Sequence, residues 1–596
     1  MRLRTKLTWI VLITLCFLAG TGLGILFSLP FETAKLLADH LARDGGADQF
    51  SVEFFFGWGL ALRGLGFAGL GMAALLLIFR VKFWAWIDTA YTWLGRALRR
   101  LGRDGKAMIA DYHPDRSGIL ATGLIALVAV VATFPILWRP MLHDEAYTFM
   151  VFARLPFGSA LSDYHVPNNH LFHTFWVYLS YHIFGSEPWA VRLPAFLAGI
   201  GLIPAIYSLG KRLFSKSTGL VAAALVAASP DVLQYSVTAR GYTLIALLTI
   251  LLLLLSLYVK NHRNTAAWLL WALTAALGFY TVPVFLYPFG MAVAWLFLAL
   301  IVNDFQTYRG CLDLLLHLIV SGVVAGLTTF LLYLPVFLHH RTFSVLFGNV
   351  YIEKLPWDVF RQTTPIRLQE TWYAWINGIP TPVVNILVLG FVLAILLHWK
   401  LSSTRVPIQF AAAVWLVPLV LVQEVQLWSK TWFAFNPLVL LCCAAGLVGL
   451  IGISFQQIHF LKRLFPVVTG LTIVLILVGS VQYRQANFRD MNRPGTNEEI
   501  ALYIQRNLQP EDTIVISWED EPMIWYYLLR HEVPEKVFWV RSTNFKRAFV
   551  VVGPAYNLTL SDVVADKGAD PKYFDLEKAD AVKKIGNSTI YLVPGK

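Results

Sequence analysis

GILATGLIALVAVVATFPILW at residues 118–138, followed by Arg139-Pro-Met-Leu-His143-Asp144-Glu145, is the stretch that decides the fold. The run is uncharged, and about 20 apolar residues suffice for a helix to cross a bilayer. It ends just before two adjacent carboxylates. A carboxylate at the centre of a spanning helix costs about 2.5–3.5 kcal/mol on insertion scales. Asp144 and Glu145 therefore belong at a membrane edge or beside a cavity, and they open a long polar loop over residues 139–189.

The same pattern recurs along most of the chain. Its 596 residues are 57% hydrophobic and 14% charged, with mean hydropathy +0.61; a soluble chain carries about 25% charge. Roughly thirteen spans are predicted. The first three lie near 8–28, 54–79 and 118–138, and others begin near 190, 218, 241, 265, 285, 312, 380, 407, 432 and 464. The short alternating segments of a β-barrel are not seen. The fold class is an all-α polytopic membrane protein with a small C-terminal α/β domain. The first apolar run has a basic lead-in, Met1-Arg-Leu-Arg-Thr-Lys6, but no clear small-x-small cleavage site, so it reads as an uncleaved span.

The net charge of +12 is distributed as the positive-inside rule expects, not as a nucleic-acid patch. The stretch 80–117 carries Arg80, Lys82, Arg96, Arg99, Arg100, Arg103, Lys106 and Arg116, which mark a basic cytoplasmic loop. Lys211-Arg212 with Lys216, Lys260 with Arg263, and Lys462-Arg463 mark further cytoplasmic turns. The segment 31–53, with Glu32, Asp39, Asp44, Asp48 and Glu53, leans acidic. The N-terminus is then cytoplasmic, and 139–189, 231–240, 339–378, 426–431 and everything after 483 are extracytoplasmic, in a multi-pass protein of the cell membrane. Four parts follow: a transmembrane hairpin (1–80), the basic loop (81–117), a transmembrane core (118–482) and an external domain (483–596). The 4 Cys residues, Cys16, Cys311, Cys442 and Cys443, lie in or beside apolar spans and form no disulfide framework or CxxC site.

In the external domain, Thr496-Asn-Glu-Glu499 reads as a capping box before a helix ending near Leu508. Strands are predicted at Thr513–Trp518, Lys536–Val540, Ala548–Val552 and Thr589–Val593, with a helix over 558–567. No GxGxxG or Walker pattern is present. Asn557-Leu-Thr559 and Asn587-Ser-Thr589 fit the glycosylation sequon.

The loop 139–189 concentrates the polar chemistry. Asp144 is the leading general base; the plainer alternative is an interfacial acid that only sets topology. Glu145 points about 100° away from it on a helix and has other partners. His170 and His173, three residues apart, share a face and with His143 form a candidate site for a divalent metal ion; interfacial aromatics that hydrogen-bond read the same way. Leu171–Phe184 has the pattern of an amphipathic interfacial helix. Arg240, in Thr238-Ala-Arg240-Gly-Tyr242, stands at the mouth of a span, where its forked donors suit a phosphate or snorkel to headgroups. Lys430 repeats that position. His165, Asn168, Asn169 and Tyr280 are candidate sugar contacts. Arg63, inside the Gly-rich second span, reads as part of a buried ion pair.

His143-Asp-Glu-Ala-Tyr147, Pro167-Asn-Asn-His-Leu171, Phe184-Gly185, Trp189-Ala-Val-Arg-Leu-Pro194, Arg240-x-Tyr242 and Lys430-Thr-Trp-Phe433 resemble the GT-C glycosyltransferases. The resemblance is to the dolichyl-phosphate-mannose protein mannosyltransferase superfamily, including lipid A aminoarabinose transferases, and covers roughly 118–480. It implies an inverting transfer of a sugar from a polyprenyl-phosphate carrier to a hydroxyl on a protein, lipid or cell-envelope glycan. Asp144, with Glu145 beside it, would be the catalytic acid pair. Arg240, Tyr242, Lys430 and His170 would hold the donor phosphate. The chain departs from the aminoarabinose transferases in one element: where they carry Glu-Lys-Pro, it has Asn168-Asn169-His170. Three other readings stay open: a ligase using a diphosphate donor, a transporter or flippase, and a non-catalytic scaffold. A transporter usually shows repeated halves and midplane polar groups, which are not apparent.

Overall fold

The computed structural model describes residues 3–42, 50, 52–111, 115–346, 348, 353–456, 459–488, 495–538, 545–566 and 570–596. The chain divides into two compact units, Met1–Ala110 and Asp111–Lys596.

In the first unit, the helices Leu3–Leu26 and Val52–Ile78 pack through glycines. A Cβ on Gly66 would stand 2.6 Å from the backbone nitrogen of Gly24, so only a small residue permits this approach. Among the described residues Arg63 has no ion-pair partner; its Nε donates to the Phe27 carbonyl at 3.0 Å. The predicted basic loop is instead one helix, Arg80–Ala110. Its charges alternate with Phe83, Trp84, Trp86, Ile87, Trp93 and Leu94, a pattern too polar to span but suited to an interface. Asp88 accepts from Thr5 at 2.7 Å. Asp44 and Asp48 lie outside the described residues.

The second unit holds the core. Across the described residues of the chain, nine helices are long and apolar enough to cross a membrane, or eleven if two bent pairs each count as one span. This is a multi-pass helical membrane protein. The count of thirteen is not reached, because Thr265–Thr281 has 17 residues and Ile408–Gln423 has 16, too few by the same measure. The bent pairs are Lys216–Ala228 with Pro230–Ser236, turned by 61°, and Trp357–Ile376 with Thr381–Leu396, turned by 112°. Pro230 and Pro380 explain the breaks, since neither residue before them can easily stay helical.

One end of this bundle is tied by ion pairs among its basic turns. Asp115 meets Lys216 at 3.0 Å and Lys211 at 3.6 Å, Lys260 meets Asp304 at 2.8 Å, and Arg263 meets Asp313 at 3.3 Å. The loop 139–189 lies at the other end.

The C-terminal part is a four-stranded sheet with helices. Its order is β1 (Asp512–Ile516), β2 (Arg547–Val552), β4 (Ser588–Pro594), β3 (Asp580–Ile585). The β1–β2 pair is parallel and the others are antiparallel. Alternation along β1 and β2 supplies two apolar faces. Ile514, Ile516, Phe549 and Val551 face the helices Thr496–Asn507 and Glu521–Arg530, while Val515, Ala548 and Val550 face Val563 and Val564. Three expectations fail here. Gly495, not Thr496, caps the first helix, and no capping box forms. Lys536–Val540 is not a strand where it is described: Glu535–Val537 is a 3-10 turn, and Val540 lies outside the described residues. Strand β3 was not foreseen, because Asp580-Ala-Val-Lys-Lys-Ile585 is mostly exposed and charged.

This sheet domain does not stand apart. Met141, Ala146, Phe149 and Met150 of the 139–189 loop share one buried core with Ile500, Ile514, Ile524, Tyr526 and Tyr527. Tyr527 Oη accepts the Met141 amide at 2.9 Å, and Arg530 pairs with Glu187 at 2.9 Å.

Candidate active site

The site forms where interrupted helices meet. His143–Tyr147 is a single α-turn that runs into a π-turn, Thr148–Ala153; widened turns of this kind are frequent at functional sites. The bent pair ending at Ser236 leads through a short turn to Arg240 and then to the helix Tyr242–Asn261. Non-helical backbone at such depth is tolerated only where protein or a cavity surrounds it.

Asp144 is half-exposed, and three positive or potentially positive groups surround it. His143 Nδ1 lies 3.7 Å from one carboxylate oxygen; Lys430 Nζ and Arg240 Nη2 lie 3.8 and 3.9 Å from the other. The His143 ring first, and then the charges of Arg240 and Lys430, hold the carboxyl well below its usual range despite partial burial. Its backbone carbonyl is fixed by Thr148 Oγ1 at 2.9 Å and Asn168 Nδ2 at 3.1 Å.

Arg240 is buried and held from one side. Its Nη1 donates to Thr148 Oγ1 at 3.1 Å, to the Asn168 carbonyl at 2.8 Å and to Asn168 Oδ1. Its Nε has no partner among the described residues. Beside it, His170 Nδ1 accepts the Gly241 amide at 2.9 Å. Burial, and then the Arg240 charge, push the His170 pKa well down, so the ring is neutral and its one proton sits on Nε2. That Nε2 lies 3.3 Å from Arg240 Nη2. Arginine cannot accept, so two donors stand side by side with no acceptor between them among the described residues. An anion would satisfy both. Gly241 permits the arrangement: a Cβ there would come within 2.7 Å of Thr281 Cγ2 and 2.9 Å of His170 Nδ1. Tyr242 closes one side, 5.0 Å from the His170 ring.

Glu145 has a different environment. It is fully buried against Arg192, whose Nε meets Oε2 at 3.0 Å and whose Nη2 meets Oε1. The Leu142 and Ala239 amides donate to it, both at 2.8 Å. Arg192 also donates to the carbonyls of Leu137, Arg139 and Pro140 at 2.7, 2.6 and 2.9 Å. Both carboxylate oxygens are therefore occupied by groups that join the loop to the helix Pro188–Leu213 and to the turn before Tyr242.

The remaining candidates separate. Asn168 belongs to the cluster around Arg240. Asn169 is buried and bonded to the carbonyls of Ala160 and Asp163 at 3.1 and 2.7 Å. His165 Nδ1 lies 2.7 Å from Asp163, and its Nε2 lies 3.1 Å from Tyr147 Oη. Tyr280 packs on Tyr333, ring centres 5.5 Å apart. His143, His170 and His173 do not gather into a candidate metal-ligating group; among the described residues, ligand atoms of Asp163, His339 and His340 lie within 4.8 Å of one another. His173 is fully buried with both ring nitrogens unpartnered among the described residues, and burial drives its pKa down to about 3. Sequence reasoning missed Arg192 and Thr148 as supports, and Trp518, which is 55% exposed and 5.8 Å from the His143 ring. An arginine inside an apolar run was the available signal for Arg192, since it requires a buried anion.

The sequence profile of the family described as dolichyl-phosphate-mannose-protein mannosyltransferase matches residues 168–335. A sequence comparison with curated proteins finds no match. Among solved structures, ArnT from Cupriavidus metallidurans in the apo state is similar at TM-score 0.54 and 14% identity, over 79% of this chain and 97% of that one. The same protein bound to undecaprenyl phosphate is similar at TM-score 0.50 and 13% identity, over 80% and 98%. In fold the chain resembles ArnT, and over residues 168–335 its sequence resembles the protein mannosyltransferases, in line with its resemblance to the GT-C superfamily of membrane glycosyltransferases.

Proposed function

We propose that this chain is an inverting glycosyltransferase that moves a sugar from a polyprenyl-phosphate carrier to a hydroxyl acceptor. The observation that carries the reading is the pair of facing donors, Arg240 Nη2 and His170 Nε2, which have no acceptor between them among the described residues and stand beside an ionised carboxylate. The likeness in fold to a protein described bound to undecaprenyl phosphate supports a lipid phosphate as the anion. Placement of the basic turns at the opposite end of the bundle supports an extracytoplasmic site.

In this mechanism the donor phosphate lies against Arg240, His170 and Lys430. Asp144 accepts the proton of the acceptor O–H as its oxygen attacks the anomeric carbon. The bond from that carbon to the phosphate oxygen breaks, and polyprenyl phosphate leaves with the bonding electrons. Arg240 and Lys430 stabilise the charge that develops on it. The two cations also time the base. After the His143 ring, they add to holding Asp144 a weak base; a bound phosphate offsets their charge, and the carboxylate becomes more basic when the donor is in place. Glu145 takes no proton: it holds the loop to Arg192. The C-terminal sheet domain presents Trp518 to the acceptor side.

The test is transfer by purified full-length protein from radiolabelled polyprenyl-phosphate sugars to acceptors in a membrane extract. Label in an acceptor, with the anomeric configuration inverted, is the expected result. Retained configuration would contradict the single displacement at Asp144.

A further inference from the structure

The first unit carries a strongly charged surface that the transfer reaction does not use. It lies on the helix Arg80–Ala110. Only Phe79 separates this helix from the span that ends at Ile78, and the chain enters the membrane again at Arg116. With 31 residues the helix is about 46 Å long. The segment 111–115, fully extended, reaches about 18 Å at most. The helix must therefore run along the membrane surface and not away from it.

Its first half is held by side chains near the start of the first span. Trp84 meets Trp9 edge to face with ring centres 5.5 Å apart, Asp88 accepts from Thr5 at 2.7 Å, and Tyr91 Oη lies 2.6 Å from Thr8 Oγ1. Two faces separate along the second half, where each residue turns about 100° from the last. Trp93, Leu94, Leu98 and Ile109 fall on one face and are 64%, 45%, 58% and 72% exposed. Arg96, Arg99, Arg100, Arg103 and Lys106 fall within about 120° on the other, and all five are exposed. Among the described residues their only carboxylate partner is Asp104, 3.9 Å from Arg100 Nε and 3.8 Å from Arg103 Nε. Most of the positive charge on this face is therefore left for a ligand.

We infer that the basic face binds the headgroups of anionic phospholipids while Trp93, Leu94, Leu98 and Ile109 sit among the acyl chains beneath it. A bilayer surface satisfies both faces at once. A nucleic acid or an acidic protein would meet the cations and leave four large apolar side chains in water. All but Lys106 of the cations are arginines, whose planar forks match paired phosphate oxygens. A zwitterionic lipid offers the same phosphate but cancels its charge with an amine, so the cation excess selects lipid of net negative charge. Clusters of about four to eight basic residues on an amphipathic helix beside a span act in this way. The helix then concentrates anionic lipid around the N-terminal hairpin. This lipid site stands whether or not the chain transfers sugar.

The experiment reconstitutes full-length protein in vesicles of equal phosphatidylglycerol and phosphatidylcholine. The protein is re-extracted in mild neutral detergent and passed through gel filtration, and the retained lipid is counted by class. Wild type should retain phosphatidylglycerol over phosphatidylcholine by about fivefold or more, the preference expected of even one cation near an anionic surface. Arg96→Gln, Arg99→Gln, Arg100→Gln and Arg103→Gln combined are exposed changes to a good helix former. That variant should elute as wild type does and lose most of the enrichment, and Arg99→Gln with Arg103→Gln alone should lose part of it. Lys583→Ala with Lys584→Ala, exposed on β3, should keep the wild-type ratio. A wild-type ratio near one, or undiminished enrichment in the glutamine variants, would overturn the assignment.

Discussion

Glu145→Gln separates a structural acid from a catalytic one. The carboxylate is fully buried and receives four donors: two N–H groups of Arg192 and the amides of Leu142 and Ala239 at the distances above, with the charge of Arg139 near it. Removing one partner of a buried ion pair costs about 3–5 kcal/mol, because the other charge stays buried without compensation. The glutamine oxygen still accepts from one backbone amide, so the loss should fall within that range and not above it. Arg192→Met should cost a similar amount, since three carbonyls lose their donor. The two side chains touch, so the double variant should be less destabilised than the sum by about 0.5–3 kcal/mol. Burial raises the Glu145 pKa, but the Arg192 charge and hydrogen bonds outweigh it and hold the group below its ordinary 4.5. The stabilisation is therefore complete above that value and is lost as pH falls below it, a loss that Glu145→Gln should not show. Unfolding in a graded detergent series, followed by tryptophan fluorescence, reads these differences. A Glu145→Gln protein with a wild-type unfolding midpoint and abolished transfer would refute the reasoning.

Three other outcomes follow from the same geometry. Arg240→Ala should lower kcat/KM for the donor by about 10²–10³, the usual effect of removing a charge-stabilising donor, and Arg240→Lys should not restore it, because the fork bonds to Asn168 and Thr148 cannot be reproduced; steady-state kinetics decides. The donor KM should stay flat between about pH 6 and 8, because His170 is held neutral well below its ordinary pKa; a KM that falls on acidification through that interval would mean His170 charges to bind phosphate. Trp518→Ala should raise the acceptor KM and leave the donor KM unchanged, checked by varying each substrate in turn.

Much of the architecture could be read before any coordinates. Every predicted span start has an apolar helix, because long uncharged runs have few alternatives in a chain this hydrophobic. Asp144, Arg240, Asn168, His170 and Lys430 come together although they are spread over nearly 290 positions, and it was their membrane-edge placement that marked them. What could not be read depends on pairing between distant segments. Nothing local in Trp189-Ala-Val-Arg-Leu-Pro194 says that Arg192 binds Glu145. The helix Arg80–Ala110 was hidden by its charges, and β3 by its exposure. His339-His340 reads as the polar end of a span until Asp163 is brought beside it. The shared core of loop and tail was equally out of reach, since Tyr526 and Met141 are neighbours only after folding.

The most direct test of the central claim compares wild type with Asp144→Asn in sugar transfer, using one polyprenyl-phosphate donor at saturation. Asparagine keeps the shape and the backbone contacts but cannot accept the acceptor's proton. Binding of polyprenyl phosphate should persist in the variant, and even strengthen as the negative charge beside Arg240 and Lys430 disappears, while transfer should fall by about 10² or more. Transfer at the wild-type rate by Asp144→Asn would contradict the account.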